Sequence, residues 1–311
     1  MRVSIIIPTR NGGKYLGQLF ETIKEQSIRP CQILVVDSSS KDDTITICKA
    51  SGVDIIRVEA KDFNHGGTRN LAASMAMGDI LVFMTQDAFF KDSGCLENLT
   101  RPLYNFEIAA SYGRQIPREG ANPIERFARS FNYPSTGIIK GIDDLPRLGV
   151  KTFFFSNACS AIKKHAFEEV GGFPEKTIMN EDMFLAARLM MKGYKIAYQP
   201  DAIVTHSHNY PLTTQFRRYF DIGVFFNRNR WIKDLAGSER EGIRYLKEEI
   251  QFLSDNGRRV WIPYALADTT VRFLGYRMGL SEGSLPLPLK KRASFNKSFW
   301  EHDTSSSAEL K

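Results

Sequence analysis

Apolar and polar positions follow two alternating patterns in the first hundred residues of this 311-residue chain. Short apolar runs rich in β-branched residues predict four buried strands: VSIIIPT (3–9), QILVVDSSS (32–40), VDIIRVEA (53–60) and DILVFMTQDA (79–88). Between them, three segments predict helices: GKYLGQLFETIKEQS (13–27), DDTITICKASG (42–52) and GGTRNLAASMAMG (66–78). Strands that alternate with helices of this length predict an α/β fold, in which helices flank both faces of a mostly parallel sheet.

Each predicted strand is followed by a polar segment, and ligands bind in such sheets beyond the carboxyl ends of the strands. The segments are 8–11, 37–40, 62–70 and 85–87. The first turn, PTRNGGKYLG, lacks the GxGxxG pattern that lets a dinucleotide pyrophosphate approach the backbone, so a dinucleotide-binding dehydrogenase is disfavoured. The functional residues are therefore expected among these four segments, in another class of α/β protein.

The middle of the chain predicts further elements. FFFSNACSAIKKHAFEEVGGFPE (153–175) predicts an aromatic strand, a short helix and a Gly-Gly-Phe turn. Glu181 and Asp182 open a helix with an apolar face, and an acidic pair in a first turn is also typical of a simple favourable interaction with the helix dipole. His206 and His208 lie two apart in a predicted strand and therefore on one face, where they form either a metal-binding pair or ordinary polar surface.

The net charge of +7 is concentrated near the C-terminus. Residues 210–311 contain 17 Lys and Arg against 12 Asp and Glu, so this segment supplies +5 of the total. Its aromatic and basic stretches, at 213–232 and 260–280, predict amphipathic helices that suit a membrane interface, packing on the rest of the chain or a homo-oligomer. A solvated basic surface is the plainer interpretation, and nucleic acid is not an expected partner.

Cysteine usage and hydropathy bear on the cellular compartment. Four cysteines lie far apart without CxxC spacing, which argues against a structural zinc site and favours reduced thiols in the cytoplasm. The sequence contains no run of about 18 apolar residues, so we expect no membrane-spanning helix. The start MRVSIIIPTRN runs directly into a strand and a turn, so we do not expect it to be a signal peptide.

Several motifs, in this order, resemble the family-2 inverting glycosyltransferases with the GT-A nucleotide-diphospho-sugar fold: IIPTRN, VVDSSSKDDT, NHGGTRN, TQDA, SNACSAI with GGFPE, NEDMFLAARL and HSH. NHGGTRN, TQDA and HSH are most similar to bacterial rhamnosyltransferases that use dTDP-L-rhamnose. The resemblance implies a catalytic domain at residues 1–210 and leaves 211–311 as a C-terminal helical extension, for the membrane interface or for oligomerisation.

The resemblance also implies roles for individual residues. The nucleotide-sugar-binding set is Thr9, Arg10, Asn11, Asp37, Asp62, His65, Gly66, Arg69, Gln86 and Asn157. Within it, Asp37 would accept a hydrogen bond from the pyrimidine ring N–H, and Arg69 would face the diphosphate. The catalytic set is Asp182 as the base, with Glu181 and Arg188.

The metal site implied by the resemblance departs from the family pattern. Asp87 and His206 would hold Mg²⁺ or Mn²⁺, but Thr85 stands where an Asp-x-Asp motif has its first carboxylate. A single carboxylate gives Mg²⁺ few protein ligands, but the ion keeps several waters and can take further oxygens from a diphosphate. We therefore expect a weakened metal site that depends on the phosphates of the substrate. A strand end that binds no metal is the alternative.

The implied activity is transfer of L-rhamnose, with inversion, from dTDP-β-L-rhamnose to a saccharide acceptor of a bacterial surface polysaccharide such as O-antigen or capsule. An acceptor carried on a polyprenyl diphosphate would favour a cytoplasmic enzyme that is peripheral at the inner face of the plasma membrane. Three alternatives stay open: a non-catalytic nucleotide-sugar-binding protein, a transferase that uses another nucleotide sugar, and a nucleotidyltransferase. The last needs a Gly-rich, basic loop after the first strand, which PTRNGGK resembles only faintly.

Overall fold

The computed structural model describes residues 1–236, 241–301 and 303. The chain divides into two compact units. The first unit consists of residues 1–119, 132–175 and 181–207, and the second of residues 120–131, 176–180 and 208–311. The chain passes from the first unit to the second for the last time after residue 207, close to the boundary expected at residue 210. The second unit also contains two earlier segments of the chain. The domain limits 1–210 and 211–311 stay a prediction.

The first unit is built on a mixed sheet. Its strands are β1 (Val3–Thr9), β2 (Gln32–Asp37), β3 (Asp54–Arg57), β4 (Ile80–Met84), β5 (Phe89–Phe90), β6 (Ile108–Ile116), β7 (Ile138–Lys140), β8 (Cys159–Lys163) and β9 (Lys195–Thr205). Their order is β3-β2-β1-β4-β8-β6-β9-β5, with β7 beside β9. β1 to β4 pair in parallel, as predicted, because a helix connects each of these strands to the next and returns the chain to the same edge.

The strand directions bring distant segments to one edge of the sheet. β8 is antiparallel to both β4 and β6, and β6 is parallel to β9. The carboxyl ends of β1, β2, β4, β6 and β9 therefore share one edge, and the segment that enters β8 starts there. Thr9 is level with Asp37 across β1 and β2, and Met84 is level with Cys159 across β4 and β8.

Some helices flank the sheet of the first unit, and others form the second unit. Their bounds are α1 (Gly13–Lys24), α2 (Thr44–Ala50), α3 (His65–Met75), α4 (Cys95–Thr100), α5 (Pro123–Asn132), α6 (Leu145–Leu148), α7 (Lys164–Glu169), α8 (Glu181–Met191), α9 (Leu212–Arg228), α10 (Arg230–Ala236), α11 (Glu241–Asp255), α12 (Ile262–Leu280) and α13 (Leu287–Ala293). In α1, the apolar positions Leu19, Phe20 and Ile23 are buried against the sheet, as their spacing predicts. The α/β prediction is confirmed.

The aromatic run at 153–155 is not a strand, which corrects the expectation for this segment. Residues Gly149–Phe153 form a 3₁₀ helix, and the strand begins only at Cys159. Phe153 and Phe155 are buried, and the ring of Tyr112 on β6 packs edge-on against Phe155 with centroids 5.6 Å apart. Aromatic residues here fill the core beside the sheet instead of entering the ladder of strands.

In the second unit, α9 and α12 pack so closely that their backbones touch. A Cβ atom on Gly275 would lie 2.3 Å from the carbonyl oxygen of Phe216, and one on Gly279 would lie 2.1 Å from that of Phe220. Only glycine permits this approach. None of the helices in the described ranges 1–236 and 241–301 is both long enough and apolar enough to cross a membrane.

Candidate active site

The turn after β1 is joined to the turns after β2 and β4 by side-chain hydrogen bonds. The amide oxygen of Gln86 accepts from the Thr9 hydroxyl and, at 3.0 Å, from the backbone N–H of Arg10. Asn11 has a left-handed backbone (φ +49°), and its N–H donates to Ser40 Oγ at 2.7 Å. Thr9, Asn11 and Gln86 therefore shape this edge of the sheet, while the Arg10 side chain is exposed.

Asp37 ends β2 with an unused acceptor. The residue is only 3% exposed, and its Oδ2 accepts from the backbone N–H of Ser40 at 3.2 Å. Its Oδ1 is buried and has no hydrogen-bond partner in the described structure. Because a buried oxygen of this kind is costly to leave unpaired, it is suited to a ligand that brings an N–H donor.

The segment before α3 holds three more of the predicted residues. Asp62 lies exposed in the loop that leads to the helix. The ring of His65, the first residue of α3, packs edge-on against Phe63, and burial lowers its pKa so that the neutral form is favoured. A Cβ atom on Gly66 would lie 2.0 Å from the carbonyl oxygen of Pro174, so Gly66 is required for close packing.

Arg69, on α3, forms a buried ion pair with Glu181, the first residue of α8. Its Nη1 lies 3.2 Å from Glu181 Oε1 and donates to the His65 carbonyl oxygen at 2.8 Å. Asn157 Nδ2 donates to the same Glu181 oxygen at 3.2 Å. Burial alone would raise the pKa of Glu181, but Arg69, His65 and these hydrogen bonds lower it below its usual value. Glu181 is therefore ionised and already paired.

Asp182 is in the opposite electrostatic state. Burial, followed by repulsion from the Glu181 charge, raises the pKa of Asp182 to about 7. Among the described residues, its carboxylate accepts hydrogen bonds from the backbone N–H groups of Met183, at 2.8 Å, and Asn157, at 3.4 Å, and from no side chain. Two adjacent carboxylates thus have pKa values on opposite sides of their ordinary range, a separation that commonly marks acid–base roles. Asp182 is the one suited to exchange a proton near neutral pH.

Asp87 and His206 converge at the ends of β4 and β9. Asp87 is 8% exposed, and its Oδ1 lies 3.5 Å from Nε2 of His206. His206 Nδ1 lies 2.9 Å from Oε1 of Gln115, whose amide group donates to the hydroxyl groups of Tyr133 and Ser156. Because that amide oxygen can only accept, Nδ1 carries a proton, and Nε2 is the ring nitrogen that lies on the side of Asp87.

One carboxylate oxygen and one imidazole nitrogen suit a divalent cation such as Mn²⁺, with the remaining positions left to other ligands. Gln115 orients the imidazole through a hydrogen bond to Nδ1, as the outer hydrogen-bonding partners of metal-binding histidines do. A further side chain, Arg118, also reaches this carboxylate, with Nη2 at 3.4 Å from Asp87 Oδ2. The residues present fit a cation site that is incomplete without ligand oxygens.

Sequence reasoning did not identify Gln115 and Arg118. Both lie at or just after the carboxyl end of β6, so the strand-end rule would have found them had β6 been recognised. Arg188, in contrast, was named from the sequence and lies six residues beyond Asp182 on α8, with its guanidinium over the Phe184 ring at 5.6 Å. In the part of the chain that the structure describes, Arg188 makes no hydrogen bond or ion pair with Asp182.

A sheet edge with a carboxyl of neutral-range pKa, an ionised partner and a buried acceptor that lacks a hydrogen-bond partner in the described structure is suited to a group-transfer enzyme. The comparisons agree on this class. The model for glycosyl transferase family 2 matches residues 4–171, and the chain belongs to that family. The resemblance drawn from the motifs is confirmed, and the protein is a glycosyltransferase.

Two full-length relatives and one solved structure refine the comparison. The O-antigen chain rhamnosyltransferases RfbN of Salmonella typhimurium and WbaN of Salmonella anatum are each 45% identical, with 100% and 99% of both chains covered. The mannosyltransferase PcManGT from Pyrobaculum calidifontis, solved with GDP-Man and Mn²⁺, has a TM-score of 0.58 at 18% identity and covers all of this chain and 81% of its own. That similarity confirms the GT-A fold.

Proposed function

We propose that this protein is an inverting rhamnosyltransferase that transfers L-rhamnose from dTDP-β-L-rhamnose to a saccharide acceptor during O-antigen assembly. The proposed catalytic role of Asp182 rests on its contrast with Glu181. Glu181 is ionised and paired, whereas burial, followed by the charge of Glu181, raises the pKa of the adjacent Asp182 to about 7. The sugar and the pathway are supported by the names of the two relatives that are 45% identical over essentially the whole chain.

In this mechanism Asp182 is the base. The acceptor hydroxyl oxygen forms a bond to the anomeric carbon while its proton passes to the Asp182 carboxylate. The bond between that carbon and the diphosphate oxygen breaks, and its electron pair leaves with dTDP. The proposed reaction uses one base and forms no bond between the sugar and the enzyme, so it is a single displacement in which a β-linked donor yields an α-linked product. Burial raises the pKa of Asp182, and the charge of Glu181, which its pair with Arg69 keeps ionised, raises it further.

The donor nucleotide is proposed to bind at the turns after β1 and β2. The unpartnered Oδ1 of Asp37 is the acceptor for the thymine ring N–H. Thr9 and Asn11 shape the surrounding turn through their bonds to Gln86 and Ser40. Nucleotide contacts by Arg10, Asp62 and His65, together with a role for Arg188 in the active site, stay predictions.

Asp87 and His206 are proposed to hold Mg²⁺ or Mn²⁺ against the diphosphate. A cation there would offset the negative charge that develops on the leaving group. An imidazole ligand favours Mn²⁺, because Mg²⁺ prefers an all-oxygen shell. The support is the orientation of His206 by Gln115, which presents Nε2 at 3.5 Å from Asp87 Oδ1.

We also infer that the second unit contacts the membrane surface, which would bring the enzyme close to an acceptor on a polyprenyl diphosphate. One face of α12 carries side chains that are 45 to 58% exposed and recur at helical spacing: Leu266, Phe273 and Leu274. Exposed arginines lie near both ends of this face, Arg258 and Arg259 before it and Arg277 after it. An apolar face bounded by arginines suits an anionic lipid surface, whereas a symmetric dimer would bring like charges together.

The decisive experiment is turnover with purified protein. dTDP-β-L-rhamnose and a panel of other nucleotide sugars are each incubated with saccharide acceptors, and products are identified by mass spectrometry and anomeric NMR. We expect an α-rhamnosyl product from the rhamnose donor alone. Tight donor binding without turnover by any acceptor would favour the non-catalytic binder, turnover of another donor would reassign the sugar, and pyrophosphate release from a nucleoside triphosphate would indicate a nucleotidyltransferase.

A further inference from the structure

Arg118 provides a positive charge at the proposed metal site. Its Nη2 lies 3.4 Å from Asp87 Oδ2, and the same nitrogen donates to the Asp87 backbone carbonyl. Only 25% of the Arg118 side chain is exposed, and 11% of that of Asp87. The charge of this carboxylate is therefore balanced by the protein itself before any cation arrives.

Aromatic rings hold the guanidinium in this position. The rings of Tyr15 and Phe89 each have their centroid 5.4 Å from Cζ of Arg118. Such cation–π contacts stabilise a charge at this site, most strongly where water is excluded. The backbone N–H of Arg118 donates to Ser207 Oγ at 3.0 Å, which fixes the start of the side chain as well. Arg118 is held beside Asp87 and cannot swing away without losing these contacts.

We propose that Arg118 is a positioning residue that makes cation binding depend on the nucleotide diphosphate. The inference deepens the proposed function, since it rests on a cation at Asp87 and His206. A divalent cation that binds alone must place two positive charges beside a guanidinium that stays in place, and like charges at such distances repel. The negative oxygens of the diphosphate offset the charges of the metal ion and of the Arg118 guanidinium. A guanidinium is also well suited to donate hydrogen bonds to those oxygens.

Coupling of this kind is reciprocal: if the nucleotide tightens cation binding, the cation tightens nucleotide binding by the same factor. Typical coupling between two ligands is about 5- to 150-fold. Removal of the Arg118 charge should therefore tighten the binding of the cation alone and shrink the coupling. Thr85 in place of a second carboxylate acts in the same direction, because it leaves the site with a single negative side chain.

The test measures Mn²⁺ binding by electron paramagnetic resonance, with and without dTDP and without any turnover. The proteins are the wild type, Arg118→Gln, Arg118→Lys, and Arg101→Gln as a matched control that removes an arginine from an exposed ion pair. We expect dTDP to tighten Mn²⁺ binding at least about tenfold in the wild type and control. Arg118→Gln should bind Mn²⁺ alone about fivefold more tightly or better, with a smaller effect of dTDP. Arg118→Lys should keep the weak binding of Mn²⁺ alone.

Two results would overturn the inference, and they differ in what else they affect. If folded Arg118→Gln, checked by circular dichroism and melting temperature, binds Mn²⁺ alone no more tightly than the wild type, Arg118 does not oppose the cation, and the proposed metal site itself is untouched. If the wild type binds no Mn²⁺ even with dTDP present, the metal site and the role of Arg118 both fail, while the role of Asp182 as the base is unaffected.

Discussion

The rate of sugar transfer should rise about tenfold between pH 6 and pH 8. Asp182 acts as a base only when it is ionised, and burial, with the charge of Glu181, raises its pKa to about 7. With that pKa, about one tenth of the molecules carry an ionised Asp182 at pH 6 and about nine tenths at pH 8. The plot of kcat/KM against pH should therefore show a rising limb with its midpoint near pH 7.

A substitution next to the base should move that midpoint. Glu181→Gln removes the second cause of the raised pKa, while Arg69, which lowers the pKa of Asp182, stays in place and loses its partner. The limb should shift to lower pH, although burial keeps the pKa of Asp182 above that of a free carboxyl. Glu168→Gln, in an exposed pair on α7, is the matched control and should leave the midpoint unchanged.

The assay follows dTDP release at low donor concentration over pH 5.5 to 9 in overlapping buffers, with melting temperature recorded at each pH. A profile that is flat between pH 6 and pH 8 would refute the assignment of Asp182 as a base with a neutral-range pKa. A midpoint that does not move in folded Glu181→Gln would show that the neighbouring charge is not what separates the two carboxylates.

Four further outcomes are expected. Asp182→Asn should lose about 10²–10⁴ in rate and melt at a higher temperature at pH 8, since a carboxyl whose pKa is raised from 3.8 to about 7 lowers the stability of the folded state as pH rises between those values, and the full loss is present at pH 8; an unchanged rate or a lower melting temperature would contradict this. Asp37→Ala should weaken dTDP binding by about 1.5–3 kcal/mol in calorimetry, and equal affinity would show that Asp37 does not contact the base. Asp87→Ala should abolish metal-dependent activity in a Mn²⁺ titration, whereas full wild-type activity in EDTA would remove the need for the cation. Phe273→Glu should lose sedimentation with anionic vesicles while Phe106→Glu, at an exposed position on the first unit, keeps it; equal binding, or a change of oligomeric state instead, would assign the α12 face to another role.

The sheet of the first unit was largely predictable because its signals are local. β1, β2 and β4 are short apolar runs with polar ends, and the helices between them have clear spacing and stops. The run at 153–155 misled the prediction, because aromatic residues favour strands and also fill cores. The sequence around β8 does not predict that this strand runs antiparallel between β4 and β6, because its direction depends on pairing with strands far away in the chain.

The candidate site shows the same limit more sharply. The sequence indicated that Glu181 and Asp182 open a helix, but which of them is paired depends on Arg69, 112 residues earlier in the chain. Motif matching identified Asp87 and His206 individually, while the orientation of the imidazole depends on Gln115 and so on the parallel pairing of β6 with β9. Residue types can be read from a motif, but charge states and tautomers follow from partners that only the fold supplies.

The pairing of the strands has a consequence for the order in which the protein is built. β1, β2, β3 and β4 pair with one another within residues 3–84, so they can assemble as soon as the first quarter of the chain has left the ribosome. The rest of the site cannot form until β8 and β9 have been made, because Asn157, Asp182 and His206 are synthesised later. A nascent chain should thus form the turns after β1, β2 and β4 before the segments that carry Asp182 and His206 have been synthesised.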